Sequence, residues 1–218
     1  MKTLSHEDAR RTYDRIGSFQ DQQAFYEDRT TGVLVAHGAF ETAERVFEFG
    51  CGTGRFAATL LAEDLPPRAK YRGIDLSPKM TELARARLAP FGSRAEVVLS
   101  DGGSPVAEPD GSCDRWVSTF VLDLLSEREI AGVLAEAGRM LVPRGLLCLA
   151  GLSTGTTWPS RTVARVWSAV HRLKPDLVGG CRPLELRAYL APNRWRVTHH
   201  AKLAPFCIPS EAILAERL

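Results

Sequence analysis

Nowhere does the 218-residue chain carry a run of about eighteen apolar residues, the length a helical membrane span needs. Its start, "MKTLSHEDARRTYDR", has no apolar stretch of the kind that directs export. Those absences predict a cytoplasmic protein without a membrane span. Charge of one sign is missing too: 28 Lys and Arg are spread among 26 Asp and Glu, for a formal net charge of +2. With no basic arm or polybasic patch, neither a nucleic acid nor an anionic membrane is expected as partner. The five cysteines, Cys51, Cys113, Cys148, Cys181 and Cys207, stand apart and are odd in number. That argues against a disulfide framework and against a zinc site, so no metal is expected. No repeat, low-complexity segment or linker divides the sequence, and 218 residues with 44% hydrophobic content suffice for one core.

What is present is an alternation. From about residue 46, short apolar runs trade places with helical patterns: "RVFEF" and a helix to about Asp64, "KYRGI" and a helix from Ser77 to Leu88, "AEVVL", "RWVSTF" and a helix from Ser126 to Leu141, then "GLLCLAG". Strands and helices at this spacing imply right-handed crossovers and a parallel, doubly wound α/β sheet. Ser77 and Pro78 suit an N-cap and first turn. Ahead of the sheet, Ser5 with Glu7 and Asp8 opens a helix in which Ala9, Tyr13 and Ile16 share a face, a cap or lid. After residue 151, Pro159 to Lys174 predicts a helix with Val163, Val166, Trp167 and Val170 on one face. "RWRVTHHAKL" and "EAILAER" predict an antiparallel strand pair. The first would place Trp195, Val197, His199 and Ala201 on one face and Arg196, Thr198, His200 and Lys202 on the other.

The chemistry concentrates in "VFEFGCGTG", residues 46–54. A dinucleotide fingerprint counted from Gly50 needs glycine where Arg55 stands. A phosphate-binding P-loop needs a lysine that does not follow Gly54. What remains is Glu48, two residues ahead of a glycine loop (Gly50, Gly52, Gly54) that opens a helix. Such a loop brings backbone N–H groups close to a ligand, and the helix start favours the ligand's anionic end. A cationic amino acid would use both features, its ammonium facing Glu48.

On these residues the chain resembles the class I S-adenosylmethionine-dependent methyltransferases. "EFGCGTG" is similar to their first motif, "YRGIDLSPKM" to the second and "VVLSDGGS" to the third. "CDRWVSTFVLDLL" and "AGRMLVPRGLLCLAGL" resemble the fourth strand, its helix and the fifth strand. The resemblance covers residues 46–151 and, around the fourth strand, looks most like the ubiquinone and menaquinone C-methyltransferases and other small-molecule enzymes. It implies a Rossmann-like, seven-stranded sheet, mostly parallel with an antiparallel C-terminal strand, under an N-terminal helical lid. The expected plan is a single domain: a cap over 1–45, a cofactor-binding core over 46–151, and lid helices with a strand pair over 152–218. It also implies S-adenosylmethionine as cofactor and S-adenosylhomocysteine as product. Glu48, Gly50, Cys51, Gly52, Gly54, Leu76, Met80, Gly102 and Thr119 would line the cofactor, Asp75 would hold the ribose diol and Asp101 the adenine amino group. Cys51 is expected to be small rather than nucleophilic.

Methyl transfer from a sulfonium is an in-line displacement with an activated leaving group, so the protein supplies alignment, exclusion of water and, where needed, a base. The Asp/Asn-Pro-Pro-Tyr/Phe signature that holds planar nitrogens is absent, which disfavours base amines as substrates. Tyr13, Asp123 and His171 are the candidates for acceptor chemistry, and His199 and His200 are read as structural or solvated. Phe19, Phe25, Tyr26, Phe120 and Trp158 suggest an aromatic lid over a small, partly apolar acceptor. The protein would act as a monomer or homodimer. A module that binds the cofactor without turnover remains the alternative, and an NAD-dependent oxidoreductase is a more distant one.

Overall fold

The computed structural model describes residues 3–102 and 105–218. Gly103 and Ser104, which end the predicted third motif, and Met1 and Lys2 lie outside the described residues. The strands are β1 (Arg45–Phe49), β2 (Lys70–Asp75), β3 (Ala95–Leu99), β4 (Cys113–Thr119), β5 (Leu141–Leu152), β6 (Trp195–Leu203) and β7 (Ser210–Arg217). They form one seven-stranded sheet in the order β3-β2-β1-β4-β5-β7-β6. β1 to β5 pair in parallel, and β7 runs antiparallel between β5 and β6. The expected architecture is therefore present, and β6 is an edge strand.

The sheet is buried on both sides, as a parallel sheet with crossover helices must be. Alternation along β1 and β4 sends Val46 and Val117 to one core and Phe47 and Trp116 to the other. The first core also takes Leu34, Leu60 and Leu88, and the second takes Ile130, Val133 and Met140. The helices are α1 (His6–Ile16), α2 (Ala24–His37), α3 (Arg55–Thr59), α4 (Pro78–Leu88), α5 (Glu127–Met140) and α6 (Trp158–Leu173). Their starts follow the predicted chemistry: the Ser5 hydroxyl accepts from Asp8 N, Ser77 from Met80 N, and Ser126 and Glu129 form a capping box.

One local expectation gains detail and two need correction. The helix after β1 reaches Asp64 as expected, but beyond Thr59 it widens into a π-helical turn, Leu60–Asp64, closed by Leu65 N donating to Leu60 O at 2.7 Å. That widening buries both Leu60 and Leu61. In β6 the register against β7 shifts between Val197 and His199. The bulge puts Val197 and His200 opposite Ala215 and Ile213, on one side, and His199 opposite Leu214, on the other, so the predicted face is split. In α6 the inward residues are Ser160, Ala164 and His171, while Val166 is exposed. Trp167 stays half-buried because its indole N–H donates to Cys181 O at 2.9 Å.

Candidate active site

At the carboxyl ends of β1 to β4 lies a cavity, where open α/β sheets bind ligands. β1 ends in Glu48 and Phe49, and the chain then turns across the end of β2, Gly50 N and Cys51 N both donating to Ile74 O at 2.9 and 3.0 Å. Gly52 has φ +53° and an added Cβ would meet nothing within 4 Å. That face is open to the cavity, and only glycine leaves it open without strain. At Gly54, φ +73°, a Cβ would stand 3.1 Å from Ala84, so this glycine packs the loop against α4. That is the packing duty a dinucleotide fold assigns to a later glycine, and Arg55 is consequently free to be large.

Asp75 ties the loops together. Its Oδ2 accepts from Gly52 N and its Oδ1 from Ser77 N, both at 2.9 Å. Burial raises its pKa, and the amides of Ser77, Gly52 and Leu76 oppose that rise. Glu48 is buried, with its Oε2 accepting from the Tyr71 hydroxyl at 2.6 Å. Burial pushes Glu48 up to about 7, against the pull of the Tyr71 and Thr119 hydroxyls. Leu76, Met80, Ser100, Gly102 and Thr119 continue the wall. Asp101 is exposed, and the wall at its loop is made by the residues on either side of it. Phe120 leaves β4 with φ +56°, a left-handed backbone unusual for a bulky residue, and its ring meets Tyr26 edge-on at 5.7 Å.

The far wall belongs to the cap. α1 contributes His6, Arg10 and Tyr13, the 3-10 stretch Gly17–Gln23 contributes Gln20 and Asp21, and α2 contributes Glu27 and Thr31, one turn apart. Polar links fasten the cap to the core: His6 Nε2 to Glu129 Oε1 at 2.8 Å, and the Ser77 hydroxyl donating to Asp14 Oδ1 at 2.5 Å. Asp21 accepts from the Thr53 hydroxyl at 2.5 Å and from Arg87 Nη2 at 2.6 Å, and Arg55 pairs with Asp28 and Glu27. Burial is the largest influence on the Asp21 pKa, yet the Arg87 and Thr53 bonds outweigh it and the value falls.

Of the three candidates for acceptor chemistry, Tyr13 lines the cavity, its hydroxyl 3.5 Å from Gly179 O and 3.7 Å from Cys181 Sγ. Burial raises its pKa well above the ordinary tyrosine value. Asp123 and His171 do not line it. Asp123 is wholly buried behind the wall, with Oδ2 accepting from Leu152 N at 2.7 Å, and burial holds its pKa well above the carboxylate range. His171 is buried under α6 with Nε2 3.1 Å from Gly180 O, and burial lowers its pKa. The aromatic lid is also redrawn: Phe19, Phe25 and Trp158 are 68%, 53% and 80% exposed, and only Phe120 of the predicted aromatics lines the cavity. Among the described residues no lining residue lies beyond Glu129, and the 152–218 segment meets the cavity wall from behind, where Gly179 and Cys181 touch Tyr13. Sequence reasoning missed Tyr71, Gln20 and Glu27. Two of these fall within the lid segment already singled out, but which of its side chains face inward is fixed by tertiary packing. Among the described residues no cluster of His, Cys, Asp or Glu is arranged to hold a metal, and no helix is long and apolar enough to cross a membrane.

The arrangement has known counterparts. Residues 46–145 match a family model described as a methyltransferase domain. Trans-aconitate 2-methyltransferase from Methylobacterium radiotolerans is 30% identical over 200 residues, covering 85% of this chain and 71% of that protein. The ubiquinone/menaquinone biosynthesis C-methyltransferase of Syntrophotalea carbinolica is 30% identical over 69% of this chain, which spans 63% of its length. The demethylmenaquinone methyltransferase of Tropheryma whipplei is 34% identical over 50% of this chain and 42% of its own. Among solved structures, an S-adenosylmethionine-dependent methyltransferase from Methanosarcina mazei superposes with a TM-score of 0.67 over 84% of this chain and 97% of its own at 18% identity. A 4+2 cyclase does so with a TM-score of 0.74 over 100% and 98% at 14% identity, so the fold by itself does not name the reaction. With the three glycines, the two strand-end carboxylates and the matched relatives together, the chain belongs to the class I S-adenosylmethionine-dependent methyltransferases.

Proposed function

We propose that the protein transfers the methyl group of S-adenosylmethionine to a small, partly apolar organic acceptor by in-line displacement. The observation that carries this reading is that one cavity joins the open face of Gly52 and the Asp75 and Glu48 carboxylates to a cap-lined chamber. The residues present fit the cofactor. Asp75 stands at the end of β2 for the ribose diol, Glu48 and the Gly50–Gly54 loop with Cys51 and Thr119 receive the amino acid end, and Leu76, Met80 and Gly102 surround the adenine, with Asp101 on the exposed side of the same loop. The bound cofactor supplies the electrophilic methyl group. The chain's own work is orientation and dryness, for which a closed cap and a wall containing Leu4, Phe56, Phe120, Val121, Leu124 and Leu125 are suited. Tyr13 is a candidate to orient the acceptor; Asp123 and His171 support the wall from behind. A cytoplasmic monomer or homodimer that meets no nucleic acid completes the proposal.

Incubation with methyl-labelled cofactor and a metabolite extract, followed by mass identification of the product, tests it. Label incorporated into a small molecule is the expected result. Tight S-adenosylhomocysteine binding with no label released would favour the second reading, a binding module without methyl transfer, which the superposition on a cyclase keeps in view.

A further inference from the structure

Two buried oxygen acceptors on the cap side of the cavity have no hydrogen-bond partner within the protein: Glu27 Oε1 and Gln20 Oε1. Glu27 is 9% exposed, its Oε2 lies 3.5 Å from Arg55 Nη2, and the Tyr26 hydroxyl also reaches its carboxylate. Arg55 gives its Nη1 to Asp28 instead. Gln20 spends its amide on Gln23 Oε1 at 3.0 Å, which also receives the Tyr26 hydroxyl at 2.8 Å. A buried acceptor left bare is costly, so two of them on residues that line a cavity suit a ligand carrying hydrogen-bond donors. The charge on the wall agrees. Among the described lining residues, Asp21, Glu27, Glu48, Asp75 and Glu129 meet only Arg10, Arg55 and His6, and Arg55 is already paired. Among those residues an anionic acceptor would find no unpaired buried cation.

We propose that Glu27 is the proton acceptor for methyl transfer, and that the acceptor molecule is a phenol, enol, amine or thiol rather than a carboxylate. This rests on the methyltransferase reading above and goes beyond it. As the new bond to the methyl carbon forms, the acceptor's O–H, N–H or S–H bond breaks and its electron pair flows into the new bond, directly or through a conjugated ring. The proton passes to Glu27 Oε1, and the pair of the broken carbon–sulfur bond stays on sulfur, which becomes neutral. Geometry comes first, but the acidity fits. Burial pushes Glu27 up to about 7, with Asp28 adding to the rise and Arg55 and the Tyr26 hydroxyl opposing it. Asp123 and the Cys181 thiol are its other titratable neighbours. A base poised there is about half ionised at neutral pH and still basic enough to take a proton.

Glu27→Gln, which keeps the volume and removes the base, is the test, with wild type measured alongside. S-adenosylhomocysteine affinity by calorimetry is expected to change less than about threefold, while transfer from labelled cofactor into a metabolite extract falls at least about a hundredfold. The wild-type rate should rise with pH to a plateau above about 7, and the variant should lose that limb. Independently of activity, the infrared carbonyl band of a protonated carboxyl, taken as wild type minus variant, should disappear between about pH 6 and about pH 8. A tenfold loss of S-adenosylhomocysteine affinity would assign Glu27 to the cofactor instead and overturn the proposal. So would a variant as fast as wild type, a band that titrates near the usual carboxylate range, or a product that is a carboxylate methyl ester. Failure of the wild type itself to transfer label refutes the methyltransferase reading, a result separate from all of these.

Discussion

Glu48 offers the sharpest quantitative test of the site, because it is a carboxylate buried in the sheet with one strong internal donor. Burial moves it from an ordinary 4.5 to about 7, and repulsion from Asp75 adds to the effect. Each pH unit is worth about 1.4 kcal/mol, so forcing Glu48 to ionise inside the cofactor-free fold costs about 3 kcal/mol. The sign follows from proton counting: the folded protein holds this proton more tightly than the unfolded chain does. The contribution is therefore fully present below about pH 4.5 and is lost as pH rises through about 7. Urea unfolding of the cofactor-free wild type and Glu48→Gln across this range measures it. Asp123 titrates alike in both proteins and cancels in the difference, and Asp75, which shares a repulsion with Glu48, cancels in part; the difference should shift by about 3 kcal/mol in favour of the variant from low to high pH. A cationic ligand group facing Glu48 reverses the balance, so near pH 6 S-adenosylhomocysteine should release a proton on binding wild type and not the variant. Calorimetry in buffers of different ionisation enthalpy reads that release. Parallel stability curves for the two proteins would refute the reasoning, since Glu48 would then carry its charge without cost.

Other expectations follow from the same geometry. Asp75→Ala should keep the fold and weaken S-adenosylhomocysteine binding by about 2 to 3 kcal/mol in calorimetry, through lost charge-assisted hydrogen bonds and a freed Gly52 amide; unchanged affinity would remove Asp75 from the site. Gly52→Val places a β-branched side chain at φ +53° and points it into the ligand's space, so binding should vanish while circular dichroism stays near wild type. Removing residues 1–16 takes away α1, which buries no residue completely; cofactor affinity should largely survive while methyl transfer drops by orders of magnitude as water enters. A truncated protein with the wild-type rate would show that α1 does not enclose the reaction.

The sheet was legible because its signals are local and redundant. Strand-length apolar runs, Ser-Pro and Ser-x-x-Glu helix starts, and glycines at 50, 52 and 54 each act within a few residues and agree with one another. Glu48 and Asp75 were legible because a strand end followed by a turn puts a side chain at a known place in this fold. Failures came where a distant contact decides. The bulge at Thr198 depends on the fit of β6 to β7, and the face of α6 on where Trp167 finds Cys181 O. Asp123 has the composition of a catalytic acid, yet Leu152 N, 29 residues on, claims its carboxylate. Glu27 reads as one more charge on a helix of weak amphipathic pattern, and only tertiary packing, with Arg55 at one oxygen, makes it an enclosed carboxylate with one bare oxygen.

The links that hold the cap end on Thr53 beside the glycine loop, on Ser77 at the end of β2's turn, on Arg55 and Arg87, and on Glu129. Two of these partners, Thr53 and Ser77, sit on the very loops that a cofactor would order, so closing the cap and filling the site draw on one shared equilibrium. Reciprocity then requires that whatever tightens the cap tightens the ligand by the same factor. Hydrogen exchange at the amides of α1 should slow when S-adenosylhomocysteine binds, by the factor by which a closed cap tightens that ligand. Because these ion pairs are partly exposed, salt weakens them. Where departure of the product limits turnover, moderate ionic strength should therefore speed the enzyme before it begins to open the chamber to water.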